Sequence, residues 1–464
     1  MSTTTNPPHI LVIMTDDHGQ WAAGCYGNSE IHSPTLDYLS QTGVRMANAF
    51  TPTPICSPAR ASFFTGRLPS QHGIHDYLEE REEAVRKHIW LADAITLAQF
   101  LSEAGYETGL VGKWHCGQGD SQQPGFDSWF SLGPWQGTHR GPHTYWHNNQ
   151  PIELTGYKSS IITDHALQFL STRNVEKPFF MFVGYVTTHT PWLEHPERLV
   201  SQYRTCTFRD IPNDVAYPFG ALRDGSKPET RLNRRESLAQ YYAAVSEVDE
   251  QVGRLLDHLD AQGLRENTLV VYVADHGMNC GHHGVWGKGG GTRPLNMLEE
   301  SVRIPMIFNY PIQFYPGQVR AEFVDHCDLF QTLLDCADVS LPKDVVETRN
   351  YPGRSFKPLL QGIGLHYWKT EIFGEYGNLR MIRTRTHKLI RRYPDGPCEL
   401  FDLLTDSRET VNLFHAPEQQ ALIQELTTRI NTFFSTYEDP IKTGLSVGEL
   451  PMHNRGEAWR EKQV

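Results

Sequence analysis

The chain has 464 residues, 39% of them hydrophobic, with a formal net charge of −12. That length can bury a large core, as one big domain with a smaller one or as two ordinary ones. The acidic balance excludes general nucleic-acid binding, because phosphate backbones are held by Lys and Arg; a local basic pocket for a small anion stays open. No apolar run reaches membrane-spanning length, so no membrane partner is expected. No charged leader with a long apolar stretch precedes Ile10–Met14, and the chain as given reads as cytoplasmic. The 8 cysteines are scattered without a Cys-x-x-Cys pair, which points to neither a zinc site nor a disulfide framework.

Taken in chain order, His9–Thr15, Thr108–Gly112, Pro178–Val186 and Thr268–Ala274 read as buried strands, being short, apolar and bounded by polar or turn residues. Helical spacing appears in Thr96–Ala104, stopped by Gly105, and in Ser237–Gln262, stopped by Gly263. Strands alternating with helices imply an α/β fold with a large, mostly parallel sheet flanked by helices. Between the second and third strands, Trp129, Trp135, Tyr145 and Trp146, with His139, His143 and His147, lie in a Gly- and Pro-rich stretch. It reads as an irregular region, either lining a sugar or aryl pocket or packed as a loop. Near residue 365 the texture changes. Tyr376–Arg392 alternates charged and apolar residues, Asp395-Gly396-Pro397 marks a turn, and Glu399–Leu404 resumes an extended pattern. A small antiparallel sheet is expected there, with a Pro417–Tyr437 helix on it and a loosely held polar tail from Glu438. The division is therefore 1–364, catalytic, and 365–464, an α+β subdomain.

Each of the four strands ends in polar residues: Asp16-Asp17-His18-Gly19, Lys113-Trp114-His115, Thr187-Thr188-His189 and Asp275-His276-Gly277. In open α/β sheets, ligands bind outside the carboxyl ends of the strands. If the strands are parallel neighbours, these groups meet at one edge. Adjacent carboxylates repel unless a cation or protons compensate, and hard oxygen ligands suit Ca²⁺ or Mg²⁺.

The most specific signal is Cys56-Ser57-Pro58-Ala59-Arg60, followed by Thr65-Gly66. It resembles the signature of the formylglycine-dependent sulfatases of the alkaline phosphatase superfamily. The resemblance implies an alkaline-phosphatase-like sheet and oxidation of Cys56 to formylglycine by a formylglycine-generating enzyme. Hydrated, that aldehyde carries two hydroxyls. One attacks sulfur and expels the alcohol; the other loses its proton and ejects sulfate as the aldehyde re-forms. The resemblance also implies a divalent metal held by Asp16, Asp17, Asp275, His276 and the residue at Cys56. Ca²⁺ is the ion expected, with Mg²⁺ or Mn²⁺ as alternatives, since imidazole is an unusual partner for Ca²⁺. Gly112-Lys113-Trp114-His115 resembles a family segment in which the Lys contacts sulfate and the His contacts the nucleophile's second oxygen. By the same resemblance Arg60 bonds the nucleophile, His189 contacts sulfate and protonates the leaving oxygen, and Lys288 is a second sulfate-binding Lys. His18 is not a ligand in that pattern.

The chain departs from the pattern in two places. Gly289–Asn296 is a longer loop after Lys288, read either as shaping substrate choice or as a functionless insertion; His282 and His283 just before it are further candidates for substrate contact. Asp406-Ser407 stands where relatives carry Asp-Pro, while Glu409, Asn412 and Leu413 are retained. The expected function is hydrolysis of a sulfate monoester of a small molecule or saccharide. The alternatives are a phosphonate monoester or phosphodiester hydrolase of the same superfamily and, from another class, a non-catalytic binder of sulfated ligands. A two-zinc phosphatase would need more His and Asp ligands and an encoded Ser or Thr nucleophile.

Overall fold

Ile10, Leu11, Val12, Ile13 and Met14 are all fully buried in strand β1, His9–Thr15. A strand apolar on both faces needs helices above and below it. In the computed structural model, which describes residues 7–134, 137–212, 221–222 and 233–450, it has them. The other strands of its sheet are β2 (Val44–Phe50), β3 (Glu107–Gly112), β4 (Ser128–Leu132), β5 (Arg140–His147) and β6 (Gln150–Tyr157). Then come β7 (Phe179–Tyr185), β8 (Thr268–Ala274), β9 (Met306–Asn309) and β10 (Gln318–Asp325). These ten run in the order β10-β2-β9-β8-β1-β7-β3-β4-β5-β6. The stretch β8-β1-β7-β3-β4 is parallel throughout. β9 runs antiparallel between β2 and β8, and β5 and β6 extend the other end antiparallel.

The two faces of β1 feed two cores, as the strand period of two demands. Ile10, Val12 and Met14 pack with Phe63 and Phe64 of α2 (Cys56–Thr65), Leu97 and Leu101 of α3 (Leu97–Glu103), and Leu329 and Phe330 of the helix His326–Cys336. Leu11 and Ile13 pack with Leu36 and Leu39 of the helix Pro34–Thr42, Ile162 and Leu170 of Lys158–Thr172, and Val252 and Leu255 of Arg234–Ala261. Thr96 caps α3, its side chain accepting from the Gln99 amide.

The region around Trp129–His147 is not irregular. It forms β4 and β5, with Trp129 and Tyr145 fully buried. Pro142 lies in the part of β5 that extends beyond β4, where a proline is tolerated. Trp135 lies outside the described residues.

A second sheet is antiparallel in chain order: Glu371–Tyr376, Leu379–Thr384, His387–Arg392 and Glu399–Asp402. On it packs the helix Gln420–Tyr437 through Ile423, Leu426, Ile430 and Phe434. The buried Lys388 ties this sheet to the large one, pairing with Glu299 at 2.7 Å and Glu409 at 2.6 Å. Residues 438–450 are held rather than loose. The Asp439 amide donates to the Ser70 carbonyl at 3.0 Å, and Val447 is buried. Among the described residues no helix is long and apolar enough to cross a membrane.

Candidate active site

Because Thr15 pairs with Ala274 and Tyr185, and Gly112 with Gly184, the polar residues after β8, β1, β7 and β3 emerge together. Gly112 makes this possible: its φ is +106°, and an added Cβ would lie 2.2 Å from the Gly184 carbonyl oxygen. The Asp275 amide donates to the Thr15 carbonyl at 3.0 Å, and the Asp17 amide to Asp275 Oδ1 at 3.3 Å. Asp16, Asp17 and Asp275 are 0%, 2% and 0% exposed. Buried carboxylates this close need cations, and each has one. Lys113 Nζ donates to Asp16, Lys288 Nζ to Asp17 at 2.5 Å, and Arg60 Nε to Asp275 at 2.9 Å. Burial pushes the Asp16 carboxyl up, but Lys113, His189, Lys288 and Arg60 outweigh it and hold it well below the usual range. At Asp275, burial dominates and raises the carboxyl to about 6. Burial pulls the His276 imidazole down, but the Asp275 carboxylate overrides it and lifts it to about 9.

Cys56 is the first residue of α2, after an extended Ile55 that offers no side-chain cap. The unpaired amides and dipole at a helix N-terminus favour negative charge there. The thiol donates to Asp16 Oδ1 at 3.3 Å; Lys288 Nζ lies 2.9 Å and His276 Nε2 3.4 Å from the sulfur. Burial and Asp16 push the thiol up, yet Lys113, Lys288 and His276 bring it down to about 6. Arg60, one helical turn on, is fully buried and also donates to the Lys113 carbonyl at 2.8 Å. Its Nη2 has no hydrogen-bond partner among the described residues. The rest of the signature builds the helix end: Thr65 Oγ1 donates to the Ala61 carbonyl, and Gly66 closes α2 at φ 67°.

His189 and His115 each have one ring nitrogen fixed by a backbone carbonyl. His189 Nδ1 donates to Thr190 O at 2.6 Å, leaving Nε2 3.9 Å from Asp17 Oδ2. His115 Nε2 donates to Leu78 O at 2.9 Å. Its Nδ1 is buried with no hydrogen-bond partner among the described residues. Burial, with Lys113 beside it, lowers the His115 ring to about 4, so at neutral pH it is uncharged with a lone pair on Nδ1.

Cys56, Lys113, His115, His189 and Lys288 line one cavity of about 500 Å³. Asp17 reaches it too, whereas Arg60 acts from behind through Asp275 and Lys113. His282 and His283 do not line it. His282 is buried against Trp21, and His283 pairs with Glu300 at 3.1 Å. Trp129 and Tyr145 belong to the core, and His139 stands behind the site, its Nε2 donating to the His189 carbonyl at 3.0 Å. His18 is bound to the Tyr272 hydroxyl at 2.7 Å. Tyr77, Glu80, Trp286 and Tyr376 also line the cavity. Nothing in their local sequence marks them; the fold alone delivers them.

The Gly289–Asn296 loop is tied down. The Gly289 amide donates to the Pro54 carbonyl at 3.2 Å, and Gly290 and Gly291 line the cavity. Asn296 is fully buried. Its Nδ2 donates to Lys288 O at 3.1 Å and Thr292 Oγ1 at 3.0 Å, and its Oδ1 accepts from Ser301 at 2.8 Å. Asn296→Ala leaves these buried groups unsatisfied and is expected to cost about 2 kcal/mol, read as a lower denaturation midpoint in urea; unchanged stability would show that the loop is not so held.

Donor atoms of Asp16, Asp17, Cys56 and His276 lie within 4.8 Å of one another, and Asp275 Oδ1 is 3.4 Å from His276 Nε2. Three buried carboxylates and an imidazole, with the side chain at position 56, are a donor set that fits a divalent cation. His283, Glu300 and Glu409 form a second such group, but Lys388 already neutralises it through Glu409.

The family model described as Sulfatase matches residues 8–339, and that described as N-sulphoglucosamine sulphohydrolase, C-terminal, matches residues 281–435. An N-acetylglucosamine-6-O-sulfatase of Bacteroides thetaiotaomicron is 28% identical, over 97% of this chain and 91% of that protein. A solved structure of a protein in complex with its substrate, D-glucosamine-2-N,6-O-disulfate, aligns at TM-score 0.75 and 25% identity, covering 93% of this chain and 98% of the other. The phosphonate monoester hydrolase of Agrobacterium radiobacter aligns at TM-score 0.74 with 18% identity over 93% of this chain and 96% of that one. It shares the fold and does not decide the chemistry. With the family matched over well over half of its length, the chain belongs to the formylglycine-dependent sulfatases of the alkaline phosphatase superfamily and is a sulfuric ester hydrolase.

Proposed function

We propose that the cavity hydrolyses a sulfated saccharide through a formylglycine formed from Cys56. One observation carries the reading: four parallel strand ends, the N-terminus of α2 and the segment at Lys288 deliver Cys56, three carboxylates, two lysines and three histidines to one place. The relatives that act on glucosamine sulfates support a sugar as the leaving group.

Once oxidised, residue 56 supplies a hydrated aldehyde, whose one hydroxyl attacks sulfur while the other later gives up its proton as the aldehyde re-forms and sulfate leaves. Asp16, Asp17, Asp275 and His276 would hold the metal, for which we favour Ca²⁺; when bound it supplies positive charge to the sulfate oxygens and to the nucleophile. The orphaned Nη2 of Arg60 fits an oxygen at position 56 better than a thiol. Lys113 and Lys288, now paired with Asp16 and Asp17, would be released to hold sulfate oxygens once those carboxylates ligate a metal.

The hydrogen bonds of His189 and His115 support the following proton transfers. Nδ1 of His189 is bound to the Thr190 carbonyl, which leaves Nε2 as the nitrogen to serve the departing alcohol as acid. His115 is neutral with a bare Nδ1, and it takes the proton of the second hydroxyl as sulfate is released. The experiment is peptide mass spectrometry on protein made with a formylglycine-generating enzyme. The peptide bearing residue 56 is expected as a hydrazide-reactive aldehyde in proportion to activity. Full activity with an unmodified thiol sinks the reading.

A further inference from the structure

The sulfate-binding floor is cationic, but one wall of the cavity is not. Tyr77 to Arg81 form that wall, together with Tyr376 from the second sheet. The segment is anchored beside the nucleophile, the Leu78 amide donating to Ser57 Oγ at 2.9 Å. Its outer end is fastened by Tyr376, whose hydroxyl donates to Asp76 Oδ1 at 2.8 Å. Glu79 and Glu80 set two carboxylates against the one guanidinium of Arg81 along the cavity. That guanidinium is used up on Glu79, with bonds of 2.7 and 2.6 Å to its two oxygens. Glu80 is different. It is only 9% exposed, and Oε1 accepts from the Gly117 amide at 3.2 Å. Its Oε2 has no hydrogen-bond partner among the described residues. Glu80 lines the cavity, so a donor on a ligand can reach its carboxylate.

The cavity is also much larger than a sulfate group requires. At about 500 Å³ it falls in the range that encloses most of a small organic ligand. The leaving alcohol has room to lie along the Tyr77–Arg81 wall.

We propose that Glu80 determines specificity by accepting a hydrogen bond from a hydroxyl or ammonium group of the leaving alcohol, so that the enzyme takes sulfate esters of neutral or cationic sugars and rejects those with a second anion beside the ester. The assignment rests on the sulfate-ester activity proposed above. Burial pushes the Glu80 carboxyl above its usual range, against His115, the Gly117 amide and Lys113; a donor on the substrate restores what burial takes from the charged form. A second sulfate there meets a desolvated carboxylate, and like charges juxtaposed at a binding surface discriminate strongly. Sites built to hydrogen-bond a donor also reject analogues that lack it.

The test compares glucosamine 6-sulfate, its N-acetyl form and its N-sulfated form with the metal-loaded, matured enzyme. The free-amine and N-acetyl sugars are expected to exceed the N-sulfated one in kcat/KM by about a hundredfold. Glu80→Gln should lower kcat/KM for the free-amine sugar at least about tenfold more than for 4-nitrophenyl sulfate, whose leaving group carries no donor. Equal or better turnover of the N-sulfated sugar overturns the proposal, as does a Glu80→Gln effect equal on sugar and aryl substrates. So does refusal of all three sugars by enzyme that cleaves the aryl sulfate. The wild-type ratios need no variant, so a folding defect in Glu80→Gln leaves the test intact. Failure to hydrolyse any sulfate ester, aryl included, strikes the underlying reading instead.

Discussion

Cys56→Ala is expected to lower kcat by about 10⁴-fold or more while the protein stays folded, because the side chain that becomes the covalent nucleophile is lost outright. The stability cost should be small. The hydrogen bond and close contacts of the thiol are all within the site, to Asp16, His276 and Lys288, and those groups keep one another: Lys288 retains Asp17, and Lys113 retains Asp16. Steady-state kinetics on purified protein, beside a thermal melt of the same sample, separates the two effects. A variant that stays folded and keeps more than a few per cent of wild-type turnover contradicts a nucleophile at position 56.

Asp275→Ala should be damaging in two ways. The Arg60–Asp275 pair is fully buried on both sides, and removing one member of such a pair costs about 3–5 kcal/mol, since the partner's charge is left without compensation. The same change takes away one of the three carboxylates proposed to hold the metal. Metal content measured on the folded variant is therefore expected to fall well below one ion per chain, with turnover lost in parallel. Asp275→Asn keeps the shape and removes the charge. It should lose metal with a smaller loss of stability, which distinguishes ligation from folding. A stoichiometric ion in both variants would place the metal elsewhere.

Much of this site was legible because its chemistry sits at strand ends. The runs His9–Thr15 and Thr268–Ala274 are apolar on both faces, so their bounds show in the sequence, and the residues after them are the metal candidates. The match Cys56–Gly66 marked the nucleophile, and the structure adds the reason: that stretch is one helix from first residue to left-handed end cap. Strands β2, β9 and β10 were not legible. Val44–Phe50 and Gln318–Asp325 mix polar and apolar residues because they lie towards an edge of the sheet, and Met306–Asn309 has only four residues. The aromatic residues around Trp129–His147 read as an irregular stretch, lining a pocket or packed as a loop. The stretch is sheet instead, and Trp129 and Tyr145 are core, since β5 and β6 extend the sheet antiparallel from β4. The Tyr77–Arg81 wall and Tyr376 were invisible for another reason. They are about 300 residues apart in sequence, and the Tyr376–Asp76 bond joins them.

Turnover of a matched aryl sulfate and aryl phosphodiester by one enzyme preparation tests the central claim most directly. Both substrates carry one negative charge, so geometry decides between them. A sulfate monoester offers three non-bridging oxygens, which Lys113, Lys288 and the metal can share. A diester offers two, and its second substituent would face a half-buried lysine that is then poorly paired, at a cost of a few kcal/mol. The kcat/KM for the sulfate is expected to exceed that for the diester by about a hundredfold or more, and Lys113→Ala should narrow the gap by harming sulfate hydrolysis more. Equal or faster cleavage of the diester would contradict the account.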